Sequence, residues 1–100
     1  MNDTISRIFT KKNKKLVTFI TGGDPDFNTS NEIIKVLIKN KVDIIEIGMP
    51  FSDPMADGPI IQLSSNRAIN EGINLDQIFA LVSNAKKTNE KIPIILMGYY

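Results

Sequence analysis

The stretch VDIIEIGMPFSDPMADGP, Val42 to Pro59, sets a glutamate inside an apolar run and follows it with a proline-rich acidic loop. Its first eight residues are apolar on both alternating faces, the pattern of a parallel strand covered on both sides. Burying an ionised carboxylate in such a strand costs roughly several kcal/mol unless it is paired or put to use. Counting by twos, Val42, Ile44, Glu46 and Gly48 share one face, and Asp43, Ile45, Ile47 and Met49 share the other. Glu46 then falls near the C-terminal end of the strand, where parallel α/β folds gather their active sites.

On either side of this strand the sequence alternates. Ile5, Ile8 and Phe9 recur at helical spacing and predict a short amphipathic helix over residues 3 to 12. LVTFIT, Leu16 to Thr21, is a β-branched and aromatic strand that stops at Gly22-Gly23-Asp24-Pro25. Thr29 with Glu32 has the form of a capping box, followed by the apolar stripe Ile33, Ile34, Leu37 and Ile38, with Asn40 as the stop. Beyond the acidic loop, Pro59 suits a first helical turn and Gly72 its end, with Ile61, Ala68 and Ile69 turned inward. Asn74 with Gln77 predicts a second cap, and Leu75, Ile78, Phe79 and Val82 predict the buried stripe behind it. IPIILMGYY, Ile92 to Tyr100, reads as a third strand. This order specifies a parallel α/β sheet with right-handed crossovers. Three parallel strands cannot close a barrel and leave long edges exposed, so a larger protein is expected around them.

Composition excludes much chemistry. The 100 residues carry a formal charge of +1, with 42% hydrophobic and 23% charged residues. That near-neutral balance disfavours nucleic acid or an anionic membrane as the main partner. The cluster Lys11, Lys12, Lys14 and Lys15 reads as solvated lysines closing the first helix. With neither cysteine nor histidine there is no disulfide, no thiolate nucleophile, no imidazole base and no usual zinc ligand, so no metal site is expected. The start lacks a signal core, and no apolar run approaches the roughly 20 residues of a membrane span. The expected location is the cytoplasm.

The chemistry is carried by carboxylates. A carboxyl held out of water has its pKa pushed towards neutrality, where proton transfer is efficient. On position alone, Glu46 serves equally as such a group or as the partner of a buried Lys or Arg. The loop after it has Asp53 and Asp57 among Pro50, Pro54 and Pro59. Prolines and aspartates are common in turns, and Asp57 is placed to cap the following helix. Yet about ten residues exceed the two to six usual for such a connection, as in loops that touch a substrate or partner. Gly22-Gly23 reads as a tight turn in preference to a phosphate cradle. Phe19 shares a strand face with Thr21, pointing either into the core or towards the cavity of Glu46.

FITGGDPD, IIEIGMPFSDPMADGPIIQ and IPIILMGYY, in this order and spacing, closely resemble the tryptophan synthase α-subunit family. The resemblance runs the length of the chain and covers roughly the first two-fifths of a (β/α)8 barrel of roughly 250 residues. It implies that residues 1–100 are the N-terminal part, about three strands, of a single TIM-barrel domain. It also implies a retro-aldol cleavage of indole-3-glycerol phosphate to indole and glyceraldehyde 3-phosphate. Matched onto this sequence, the family's catalytic carboxylates fall on Glu46, as proton shuttle, and Asp57, holding the indole N–H. Phe19, Met97 and Tyr99 fall on positions lining the indole pocket; family members often have leucine where Met97 stands. The loop Pro50 to Gly58, with Pro50, Asp53 and Pro54, falls on the segment that meets a β subunit in an α2β2 tetramer. Pyridoxal phosphate belongs to that partner, so no cofactor is expected in this chain.

The family's phosphate-holding loops lie beyond these residues, so the 100 residues alone are expected to be inert. A pterin-condensing synthase of similar barrel type matches the strand but not the P-F-S-D-P and A-D-G-P loop. A non-catalytic module that uses the loop only for docking is the alternative from another class.

Overall fold

The computed structural model describes residues 6, 8–9, 14–51 and 58–98. Three strands, β1 (Val17–Thr21), β2 (Ile44–Gly48) and β3 (Ile94–Met97), form one parallel sheet in the order β1-β2-β3. Helix α1 (Phe27–Lys39) joins β1 to β2, and two helices, α2 (Pro59–Asn70) and α3 (Leu75–Thr88), join β2 to β3. Of the predicted leading helix, Ser6, Ile8 and Phe9 are described and are helical. The remainder of that helix, with Lys11 and Lys12, lies outside the described residues, while Lys14 is exposed and Lys15 half-buried.

Register follows the alternation read from the sequence. Phe19 pairs with Glu46 and Glu46 with Ile95; one step on, Ile20, Ile47 and Leu96 form the next row. Ile45 and Ile47 are wholly buried. They lie on the face that meets the helices, in a core with Ile34 of α1, Ala68 of α2, and Ile78, Leu81 and Ala85 of α3. Burying side chains of this size contributes roughly 1.5–3 kcal/mol each, so this face fixes how the helices sit.

Local chemistry sets the ends. Asp26, not Thr29, caps α1: its carboxylate accepts from the Thr29 amide at 2.7 Å, which puts Thr29 inside the first turn. Glu32, the other half of the predicted box, instead pairs with Lys35 at 3.3 Å. Bonding to the Thr29 backbone holds the Asp26 carboxyl below its usual value. The predicted box Asn74–Gln77 is present in both directions, at 2.8 and 3.2 Å. Pro59 occupies the first turn of α2, and Gly72, just past its end, has φ +87.

The apolar stripes differ from prediction in three places. Ile69, Leu75 and Phe79 are exposed, and the line that α3 buries runs through Ile78, Leu81 and Ala85. The core that α3 joins, with Ile34 of α1, Ala68 of α2 and Ile45 and Ile47 of the sheet, takes in that narrower line.

Gly22 and Gly23 form the predicted tight turn, and contact decides it. A Cβ on Gly22 would stand 2.5 Å from Ile78 Cδ1, and Gly23 has φ +88 with Ile73 pressed against it. The Gly23 amide donates to Ser30 Oγ at 2.9 Å. This pins the end of β1 onto α1.

Candidate active site

The second sheet face carries the candidate site. Phe19, Glu46 and Ile95 stand in one row across the three strands, and Thr21, Gly48 and Met97 in the row nearer their C-terminal ends. Side chains in paired positions of a parallel sheet lie on the same side. Glu46 is half-buried, while Phe19, Ile95 and Met97 are 40%, 37% and 43% exposed. Carboxylate, ring and thioether therefore share one part-exposed face of the sheet.

Gly48 shapes this surface. A Cβ there would fall 2.6 Å from Phe19 Cζ, so the missing side chain is what lets the ring lean over the end of β2 beside Glu46. The core alternative for Phe19 is thus replaced by a position on the open face. Among the described residues no Lys or Arg forms an ion pair with Glu46. A half-buried carboxylate between an aromatic ring and aliphatic side chains suits proton transfer to and from an apolar, ring-bearing substrate.

The loop after β2 is described only at its ends. Met49 is half-buried, with its amide donating to the Met97 carbonyl at 2.7 Å; Pro50 is buried and Phe51 exposed. Asp53, Pro54, Asp57 and Tyr99 lie outside the described residues. Gly58 then caps α2 without any side-chain hydrogen bond.

Sequence reasoning missed how α2 is held. Thr21 Oγ1 and Ser64 Oγ lie 2.7 Å apart and buried. Arg67 engages both oxygens of Asp24, Nε to Oδ1 at 2.7 Å and Nη2 to Oδ2 at 3.0 Å. Hydrogen bonding to that carboxylate raises the Arg67 pKa. The partners are 43 residues apart, and no local pattern marks them. A polar cleft between α1 and α3, lined by Asn28, Glu32, Lys35, Asn84 and Lys87, involves none of these residues. Among the described residues no cluster of acidic side chains is placed to hold a metal ion, and no helix is long and apolar enough to cross a membrane.

Comparison with known proteins agrees with this fold. The family described as tryptophan synthase alpha chain matches residues 5–100. The tryptophan synthase alpha chain of Geotalea daltonii is 52% identical over 100 residues, 100% of this chain and 38% of the relative. That of Petrotoga mobilis is 49% identical over 96 residues, 96% of this chain and 36% of the relative. Tryptophan synthase subunit alpha from Legionella pneumophila superposes with a TM-score of 0.88 at 38% identity, covering 97% of this chain and 37% of that one. A structure of the tryptophan synthase α2β2 complex from Pyrococcus furiosus superposes at 0.76 and 37% identity, covering 86% of this chain and 34% of that one. The chain spans less than two-fifths of the length of these relatives, and its three parallel strands with their helices are a portion of a (β/α)8 barrel.

Proposed function

The chain belongs to the tryptophan synthase alpha chain family, and from that premise we propose that its residues act in the retro-aldol cleavage of indole-3-glycerol phosphate. The reaction releases indole and glyceraldehyde 3-phosphate within L-tryptophan biosynthesis, a carbon–carbon lyase step carried out inside one barrel domain. The observation that carries this reading is the row Phe19–Glu46–Ile95, an acid between apolar side chains at the active end of a parallel sheet. Glu46 takes the proton of the glycerol hydroxyl and delivers one to the indole ring carbon. Asp57 holds the indole N–H and stabilises positive charge as the ring is protonated. Phe19, Met97 and Tyr99 line the indole pocket.

The same reading gives the chain a β subunit as partner, in an α2β2 assembly, through Pro50, Asp53 and Pro54. This chain holds no cofactor of its own; pyridoxal phosphate resides in the partner. Its location on this reading is the cytoplasm, which the family's biosynthetic role supports. The P. furiosus relative, solved as an α2β2 complex, supports the pairing.

The test is Glu46→Gln in a full-length family chain carrying these 100 residues, for instance these residues joined to the remaining part of the G. daltonii relative. Indole release should fall by about 10²–10⁴-fold while β-subunit binding is retained. Unimpaired indole release by this variant would remove Glu46 from the chemistry, and a parent chain that binds the β subunit without releasing indole would leave the docking module as the better account.

A further inference from the structure

We infer that Ile95 of β3 is a specificity-determining residue of the indole pocket: its side chain sets how bulky a ring can come level with Glu46. The inference rests on the reading above, in which Glu46 acts on the ring and Phe19 and Met97 line its pocket.

Alternation divides the side chains of β3 between two faces. Ile94 and Leu96 pack against the core shared with the helices. Ile95 and Met97 stand on the opposite face, 37% and 43% exposed. Register then places Ile95 beside the acid. It pairs with Glu46, and Glu46 pairs with Phe19, so the carboxylate has an aromatic neighbour on β1 and an aliphatic one on β3. Strands in a sheet lie about 4.8 Å apart, and Ile95 is therefore as close a neighbour of Glu46 as Phe19 is.

The next row leaves a gap above the acid. Gly48 has no side chain, and the Phe19 ring leans over it, with Cζ 2.6 Å from where a Cβ would stand. On one side of Gly48, Thr21 is buried with its hydroxyl 2.7 Å from Ser64 Oγ; on the other stands Met97. A ring lying over Gly48, between Phe19 and Met97, meets Ile95 as the next side chain towards the start of β3. The two walls on β3 differ in stiffness. Met97 is unbranched and adapts its shape, whereas Ile95 is branched at Cβ and held at χ1. Of the two, Ile95 is the wall that discriminates by size.

The experiment compares the parent, Ile95→Val and Ile95→Ala in the full-length family chain carrying these 100 residues. Each is supplied with indole-3-glycerol phosphate and with derivatives bearing one methyl group on the six-membered ring, every position in turn. The readout is kcat/KM for the methylated substrate divided by that for the plain one. Both are measured on one preparation, so the ratio does not depend on the fraction folded. For at least one derivative the ratio should rise about tenfold or more in Ile95→Ala, with Ile95→Val between it and the parent. A side chain that serves only packing would lower the urea midpoint and leave every ratio at the parent's value. That result overturns this inference and leaves the proposed function standing. A parent chain that releases no indole from the plain substrate overturns the proposed function and this inference with it.

Discussion

The backbone amide of Leu16 donates to Asp43 Oδ2 at 2.8 Å, across 27 residues of sequence. The Leu16 carbonyl in turn accepts from the Asp43 amide at 3.0 Å and from the Ile44 amide at 3.3 Å. The two residues stand just before β1 and β2, at the end of the sheet away from the candidate site. Asp43→Ala removes an acceptor from a solvent-exposed strand-entry amide, which should cost about 0.5–1.5 kcal/mol. Urea unfolding of the full-length chain measures this, and kcat per folded molecule should not change. A variant as stable as the parent would show that water replaces the carboxylate at no cost.

Gly48→Ala tests the fit of the ring above β2. The new Cβ would meet Phe19 Cζ at 2.6 Å, so the ring has to swing away from Glu46. The variant should raise KM for indole-3-glycerol phosphate. Because the two sites touch, Gly48→Ala and Phe19→Leu combined should deviate from additivity by about 0.5 kcal/mol or more. Strict additivity in KM would show that the ring is not the obstacle.

Acid should loosen α1 through Asp26. Its carboxyl is held below 3.8 by the hydrogen bond from the Thr29 amide. A depressed folded value means that the stabilisation is fully present above the unfolded value and is lost as pH falls through the folded one. Asp26→Asn keeps a capping oxygen without the titration. Unfolding midpoints from about pH 5 to about pH 2 should therefore fall less steeply for the variant than for the parent. Equal slopes would remove Asp26 from the account.

These 100 residues by themselves should release no indole, since the open face holding Glu46, Phe19 and Met97 has nothing to hold a substrate phosphate among the described residues. Purified peptide supplied with indole-3-glycerol phosphate, at a sensitivity set by the full-length chain, decides the matter. Turnover by the peptide would place the whole chemical site inside it.

What could be read from the sequence was whatever depended on near neighbours. The Asn74–Gln77 box, the turn at Gly22-Gly23 and the two faces of β2 follow from residues one to four apart, so composition and period suffice. The α1 cap was misread because Asp26 and Thr29 both suit the role. The Thr29 amide bonded to the Asp26 carboxylate decides between them. Leu75 and Phe79 fit a helical period as well as Ile78 does, but the width of the buried stripe depends on which neighbours cover α3. The site divides in the same way. Alternation showed that Glu46 faces away from Ile45 and Ile47, whereas its alignment with Phe19 needed the register of two strands. The Asp24–Arg67 pair, 43 residues apart, left no trace in local pattern.

The parallel sheet has a consequence for how such a chain changes over generations. Leu16 and Asp43 hold the strands where they begin, while on the proposed reading Phe19, Glu46 and Met97 act further along them. Substitutions at the beginnings alter how long a molecule survives in the cell; those further along alter how much substrate it converts while it does. Selection on abundance and selection on flux then act on separate positions, and a lineage can adjust one while the other stays fixed.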